Sequence, residues 1–245
     1  MQVFVSCEHG GNRVPEKYRH LFAGRQILLN SHRGYDIGIL PFAKRLAAKF
    51  SAPFLPATVT RLLIDLNRSQ KSRSLFSELT RALSPGERQE ILRLYHQPYW
   101  SAAEDIAAEI IATGRQVLHL SIHSFTPILN GTVRNADIGL LYDPKRPTEK
   151  NLCRKWQGAL AACCPELRIR RNYPYQGNAD ALVTALRKRF PAENYLGIEM
   201  EINQRYFLEN TDQWQAVQNQ LLTTLGSLLQ PRSLLASRPS SPQTR

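Results

Sequence analysis

Short apolar runs alternate along this chain with segments of helical periodicity, and that alternation restricts the fold more than any other feature. Val3-Phe4-Val5, Val117-Leu118-His119-Leu120, Ile138-Gly139-Leu140-Leu141-Tyr142 and Tyr195–Ile202 read as strands. A further apolar stretch, Ala57-Thr58-Val59-Thr60, leads into Arg61-Leu62-Leu63-Ile64-Asp65-Leu66-Asn67-Arg68. Helical patterns cover residues 36–50, 148–162 and 178–189. Ser84-Pro85-Gly86-Glu87 is a capping box with Pro at the first helical position, so a long helix is expected from there to Ala112, closed by Gly114. A last helix is expected from Thr211 or Asp212 to Gln230. Strands alternating with helices predict one α/β domain with a mixed, mainly parallel sheet.

Two of the strand candidates run into short histidine segments. Ser6-Cys7-Glu8-His9-Gly10-Gly11-Asn12 follows the first, and Ser121-Ile122-His123-Ser124-Phe125 follows a later one. Each histidine is thus expected where a strand ends and a loop begins, the edge at which open α/β sheets bind ligands. A lone histidine is more often structural than ligating, but two at strand ends can meet on one metal. A catalytic zinc takes three protein ligands and leaves a fourth position for water. Two histidines therefore need one carboxylate, and the nearby candidates are Glu8 and Asp36; the bland alternative for Asp36 is the N-cap of the following helix. Arg61, Asn67 and Arg68 can clamp an anionic substrate through guanidinium and amide donors, or Asp65 can pair with either arginine on a solvated surface. Glu199 and Glu201 lie two apart on a strand and project to one face, where a carboxylate beside a metal could act as general base. Ile198, Met200 and Ile202 opposite them predict a half-buried strand. Asn172–Gly177 reads as a loop carrying two phenols.

Bulk composition narrows the class. At 245 residues with 42% hydrophobic content, the chain can build one substantial core. The net charge is +12, part of it from Arg232, Arg238 and Arg245 in a Ser/Pro/Arg-rich tail, residues 231–245, expected to be disordered. The remaining basic residues are dispersed, which favours small anionic ligands over nucleic acid. A polyanion-binding module stays as the alternative of another class; its affinity would fall steeply with salt. Cys7, Cys153, Cys163 and Cys164 form no CxxC pair, so reduced thiols in a cytoplasmic protein are expected. Neither a secretory leader nor a stretch of ~20 apolar residues is read, which predicts no membrane association.

Taken in order, Ser6–Pro15, Tyr35–Gly38, Arg61–Arg68, Leu120–Pro127, Arg134–Pro144, Asn172–Gly177 and Gly197–Arg205 resemble the N-formylglutamate amidohydrolase family. The resemblance spans residues 3–207. It implies a three-layer α/β/α, metallocarboxypeptidase-like domain over residues 1–230 and hydrolysis of an N-formyl or other small N-acyl amino acid, with a free peptide end as an alternative substrate. By the same resemblance, His9 and His123 are metal ligands for one zinc ion. Arg61, Asn67 and Arg68 hold the substrate carboxylate, Glu201 (or, second, Glu199) is the general base, and Arg134 and Tyr175 contact the substrate side chain or the oxyanion. One departure matters. The related carboxypeptidases and aspartoacylase use His-x-x-Glu, whereas Asn12 stands three residues after His9, so the third ligand is expected to be Asp36.

Overall fold

Val3, Val5 and Cys7 point to one side of the first strand, Phe4 and Ser6 to the other, and all five are buried. A strand without a wet face must lie inside a sheet covered on both sides. The computed structural model shows this arrangement and describes residues 1–208 and 211–230; the expected disordered tail, 231–245, lies outside the described residues. In chain order the strands are β1 (Gln2–Cys7), β2 (Phe54–Pro56), β3 (Val117–Phe125), β4 (Ile128–Leu129), β5 (Thr132–Val133), β6 (Ile138–Leu141), β7 (Ile169–Arg171) and β8 (Tyr195–Asn203). The helices are α1 (Gln26–Leu29), α2 (Ile39–Lys49), α3 (Pro85–Ile91), α4 (Gln97–Ala112), α5 (Pro147–Cys163), α6 (Leu182–Arg189), α7 (Arg205–Leu208) and α8 (Thr211–Leu229).

Six strands form one sheet in the order β2-β1-β3-β8-β6-β7. Every neighbouring pair is parallel except β6 with β8. β4 and β5 make a separate hairpin. On one face, Val3, Val5, Leu118, Leu120, Ile122, Ile198 and Met200 pack against α2, α5 and α8, with Trp156 of α5 and Trp214 of α8 among the buried residues. On the other, Phe4, Val117 and Tyr195 pack against α4, α6 and residues 62–66. The protein is a three-layer α/β structure with a mixed, mostly parallel sheet, the sheet as the alternation predicted and the layering as the resemblance implied.

The helix expected over 178–189 begins at Leu182, and three further differences from the sequence reading each have a physical reason. The helix expected over 36–50 begins at Ile39, because Gly38 takes a left-handed φ of 74° and ends the preceding loop. Asp36 is therefore not its N-cap. The helix expected from Pro85 does open on the capping box, with Ser84 Oγ accepting from the Glu87 backbone N–H, a device worth about 1 kcal/mol. It widens into a π-helical turn over Leu92–His96 just before Pro98, which has no N–H to give the preceding turn. β3 does not stop before His123. It pairs with β8 over nine residues, Val117 to Phe125, so His123 lies inside the strand rather than in a following loop. The short β7 and the β4–β5 hairpin lack enough apolar residues to have been read as strands.

Candidate active site

The strand order reverses between β1 and β3, and such a switch point opens a crevice at the carboxyl ends of the strands. Residues of alternating position meet there in rows across the sheet. Ser6 pairs with Ser121 and Ser121 with Glu199. One pleat further on, His123 pairs with Glu201, and Glu201 with Gly139. The polar residues Ser6, Glu8, His119, Ser121, His123, Glu199 and Glu201 are all buried, so the polar side of β8 is not the wet face that half-burial predicted. The loops 57–68 and 172–181 cover it.

His9 follows β1 by two residues. The glycines after it let that loop lie on the next: a Cβ on Gly11 would sit 2.8 Å from the Thr58 carbonyl oxygen. The His9 carbonyl accepts from the Asp36 N–H at 2.9 Å, which ties the two segments together. His9 Nε2 lies 2.7 Å from Asp65 Oδ1. Its Nδ1 is buried, has no hydrogen-bond partner among the described residues and faces Asp36 Oδ2 at 3.5 Å. From the other side His123 Nδ1 comes within 2.9 Å of the same Asp36 oxygen. One ligand atom each from His9, Asp36 and His123 lies within 4.8 Å of the others, and this buried group could hold a metal ion. The unpartnered Nδ1 fits that use. Such an orphan is costly in a buried site unless something takes its lone pair.

Glu8, the other carboxylate considered as a ligand, sits behind His123 rather than beside this group. It accepts from Ser6 Oγ at 2.6 Å and Ser121 Oγ at 2.9 Å, and His123 Nε2 is 3.2 Å away. Burial works to raise the Glu8 pKa, but the bonds and charge of His123 and the Ser6 hydroxyl outweigh it and hold the carboxyl at about 2. The same contest acts at Asp36, where burial is outweighed by His9, His123 and Arg61 and the group stays well below the carboxylate range. Burial alone would lower His123, yet Asp36 and Glu8 raise it well above its ordinary value.

Arg61 spans two of these acids: Nη1 reaches Asp36 Oδ1 at 3.1 Å and Nη2 reaches Asp65 Oδ2 at 2.9 Å. Asn67 is fully engaged, donating from Nδ2 to Glu199 Oε1 at 2.8 Å and accepting the Leu182 N–H on Oδ1 at 2.9 Å. Arg68 donates to the Asp180 carbonyl at 2.5 Å. Its own carbonyl lies 2.7 Å from His96 Nε2, while Trp100 Nε1 donates to Leu66, so α4 and the π-helical turn hold the Arg61–Arg68 segment in place.

A cavity of about 400 Å³ lies over this floor, bordered by His9, Asp36, His123, Glu199, Glu201 and Arg68 among others. Glu201 Oε2 is buried there without a partner among the described residues. Burial is the largest influence on Glu201 and, with the negative charges of Asp36 and Glu199, pushes its pKa up to about 8 against the pull of His123 and Arg61. A second cavity of about 360 Å³ adjoins the first through Asp36, Arg61, Ser124 and Tyr175. Arg134 enters from that side with its guanidinium 5.0 Å from the Tyr175 ring centre. His9, Asp36, Arg61, Asn67, Arg68, His123, Tyr175, Glu199 and Glu201 thus border one cavity, and Arg134 the adjoining one. Asp65 does pair with Arg61, buried rather than on a solvated surface; Ser6, His119 and Ser121 support the site without having been singled out in the sequence. Their signal was a period-two polar pattern, Ser6-x-Glu8 and His119-x-Ser121-x-His123, within runs otherwise apolar enough to be buried.

A buried carboxylate-and-histidine group in the crevice of an α/β sheet, beneath a cavity with an unpaired glutamate, fits a hydrolase of amide bonds. The chain belongs to the N-formylglutamate amidohydrolase family, whose model matches residues 1–208. Among solved structures it is similar to the gene product Atu2144 of Agrobacterium tumefaciens, at 27% identity and a TM-score of 0.78 over 93% of this chain and 91% of that one. It also shares its fold with an N-formylglutamate amidohydrolase from Ralstonia eutropha JMP134, at 19% identity and a TM-score of 0.69 over 93% and 92% of the two chains. No curated protein sequence matches the chain. No helix among the described residues is long and apolar enough to cross a membrane.

Proposed function

We propose that this protein is a zinc-dependent amidohydrolase that releases the acyl group from an N-formyl, or other small N-acyl, amino acid such as N-formyl-L-glutamate. The observation that carries the reading is the convergence of His9 Nδ1, Asp36 Oδ2 and His123 Nδ1 beside the unpartnered Glu201 carboxylate. Two imidazoles and one carboxylate are a donor set suited to zinc and leave a position open. A zinc ion held there supplies Lewis acidity toward the acyl carbonyl and toward a water molecule. Glu201 takes the proton of the attacking water and returns it to the leaving amine; Glu199, tied to Asn67, is the second choice for this role. A neighbouring cation favours the ionised form of Glu201 that a base requires.

The substrate carboxylate is assigned to the Arg61, Asn67 and Arg68 segment. Within it, Arg68 bonds among the described residues only to backbone carbonyls and keeps donors for a ligand, whereas Arg61 and Asn67 act mainly by holding Asp36, Asp65 and Glu199 in place. Arg134 in the second cavity and Tyr175 at the junction of the two face the substrate side chain. Arg61, Arg68 and Arg134 on the cavity walls are the cationic groups that suit an anionic N-acyl amino acid. The test is formate release from N-formyl-L-glutamate by wild type and by His123→Ala. Release that requires metal and vanishes in the variant supports the reading; full chelator-sensitive activity in His123→Ala removes His123 from the ligand set.

A further inference from the structure

The two histidines of the site share a geometry that their spacing in the sequence does not disclose. Each turns Nδ1 toward Asp36 and anchors Nε2 on a different buried carboxylate: His9 on Asp65 at 2.7 Å, His123 on Glu8 at 3.2 Å with Ser121 Oγ at 2.8 Å. We propose that Glu8 and Asp65 are positioning residues that fix the two imidazoles as Nδ1 ligands and thereby set the metal affinity of the site, neither of them touching the metal. This rests on the reading of His9 and His123 as ligands.

Counting protons shows why the arrangement runs one way. Each serine hydroxyl has a single proton, and both Ser6 and Ser121 give theirs to Glu8. Ser121 Oγ can then only accept from His123, which places a proton on His123 Nε2, so the lone pair of the neutral, metal-binding imidazole falls on Nδ1, the nitrogen that otherwise donates to Asp36 Oδ2 at 2.9 Å. Asn67 Nδ2, a donor, is the competing neighbour of His123 Nε2, but it lies at 3.3 Å against 2.8 Å for Ser121 Oγ and makes its shorter bond to Glu199 Oε1 at 2.8 Å. Ser6 Oγ must likewise accept from His119 Nε2 at 2.7 Å. His119 Nδ1 then accepts from the Tyr195 hydroxyl at 2.6 Å. The chain from Tyr195 through His119, Ser6 and Glu8 to Ser121 and His123 is entirely buried. It pins both Glu8 oxygens, so the carboxylate cannot turn toward the cavity, and Glu8 borders neither of the two cavities. On the His9 side Asp65 is pinned by Arg61 and by the Asn67 N–H at 2.9 Å. Carboxylates behind ligating histidines characteristically change metal affinity by ten- to a hundredfold when replaced.

The experiment measures zinc affinity by competition with a chelating dye, and the visible spectrum of the cobalt-substituted protein, for wild type, Glu8→Gln, Asp65→Asn and Ser121→Ala. Glu8→Gln and Asp65→Asn are expected to bind zinc about ten- to a hundredfold more weakly, Ser121→Ala to weaken it in the same sense, and all to keep the wild-type cobalt band pattern. Affinity equal to wild type in all three variants overturns the proposal, leaving these groups as scaffold only. A changed cobalt coordination pattern in Glu8→Gln or Asp65→Asn overturns it in the other direction, by making that residue a ligand. Should either carboxylate variant fail to fold, Ser121→Ala, which removes one hydroxyl, decides. Wild-type protein that binds no zinc would instead refute the underlying metal reading.

Discussion

Replacing Glu201 by glutamine separates activity from stability in a way few other changes here would. The carboxyl is buried, one oxygen has no partner, and its pKa stands at about 8 against an ordinary 4.5. In the metal-free protein the native state therefore keeps a proton between these pH values that the unfolded chain has given up. Folding stability falls by about 1.4 kcal/mol for each pH unit across that window and is level above it. At pH 7, some 2.5 units above the ordinary value, the accumulated cost is about 3 kcal/mol. A neutral amide does not titrate, so metal-free Glu201→Gln escapes it. The variant should be the more stable protein at pH 7, with an advantage that grows from pH 5 to 8 and disappears near pH 4.5. Urea unfolding of both proteins at several pH values, with chelator present, measures the difference. The same substitution removes the proposed base and should lower kcat by a factor of about 10² to 10⁴. Equal stability at every pH would show that the carboxyl is not held unpaired, and kcat within tenfold of wild type would remove Glu201 from the chemistry.

Other expectations follow from single contacts. Burial holds His119 down at about 3 and the His123 contacts hold Glu8 at about 2. In each case the unfolded chain takes up a proton first as pH falls, so both stabilise the fold near neutrality and lose that contribution on acidification, His119 from 6.5 downward and Glu8 from 4.5 downward. An acid titration followed by circular dichroism should therefore show an earlier loss of structure in wild type than in His119→Phe, and identical profiles would contradict this. Gly139→Ala would drive a methyl group into the Tyr173 carbonyl and to 3.2 Å from Glu201 Cβ. A loss of about 1–3 kcal/mol is expected in urea, and an unchanged midpoint would refute the close approach. Arg134→Ala, which removes a cation stacked on Tyr175, should raise KM for N-formyl-L-glutamate more than it lowers kcat; an unaltered KM would take the second cavity out of substrate binding.

The layers of the fold were legible because they depend on patterns a local window contains. The β1 and β3 runs, the capping box at Ser84 and the amphipathic α5 all declare themselves over a few residues. What the sequence hid depends on register. Nothing local says that Ser121 stands beside Glu199, or that His123 is level with Glu201, because these pairs are made by strands more than seventy residues apart. Asp36 could be read as a helix cap until Gly38 ended the loop and released its carboxylate. The choice between Glu8 and Asp36 was likewise undecidable in one dimension. Alternation puts Glu8 on the face that carries Ser6, and only the sheet shows that this face turns it toward the back of His123. The Arg61–Arg68 segment was recognisable by composition. That Arg61 and Asn67 turn donors to Asp36, Asp65 and Glu199 follows from the loop closing over the strand ends.

The most direct test of the account is a zinc titration of chelator-stripped protein, with formate release from N-formyl-L-glutamate recorded at each point. The account predicts no release from the stripped protein and full activity when one zinc per chain has been added. Release that persists after stripping, or that stays absent however much zinc is bound, would contradict it.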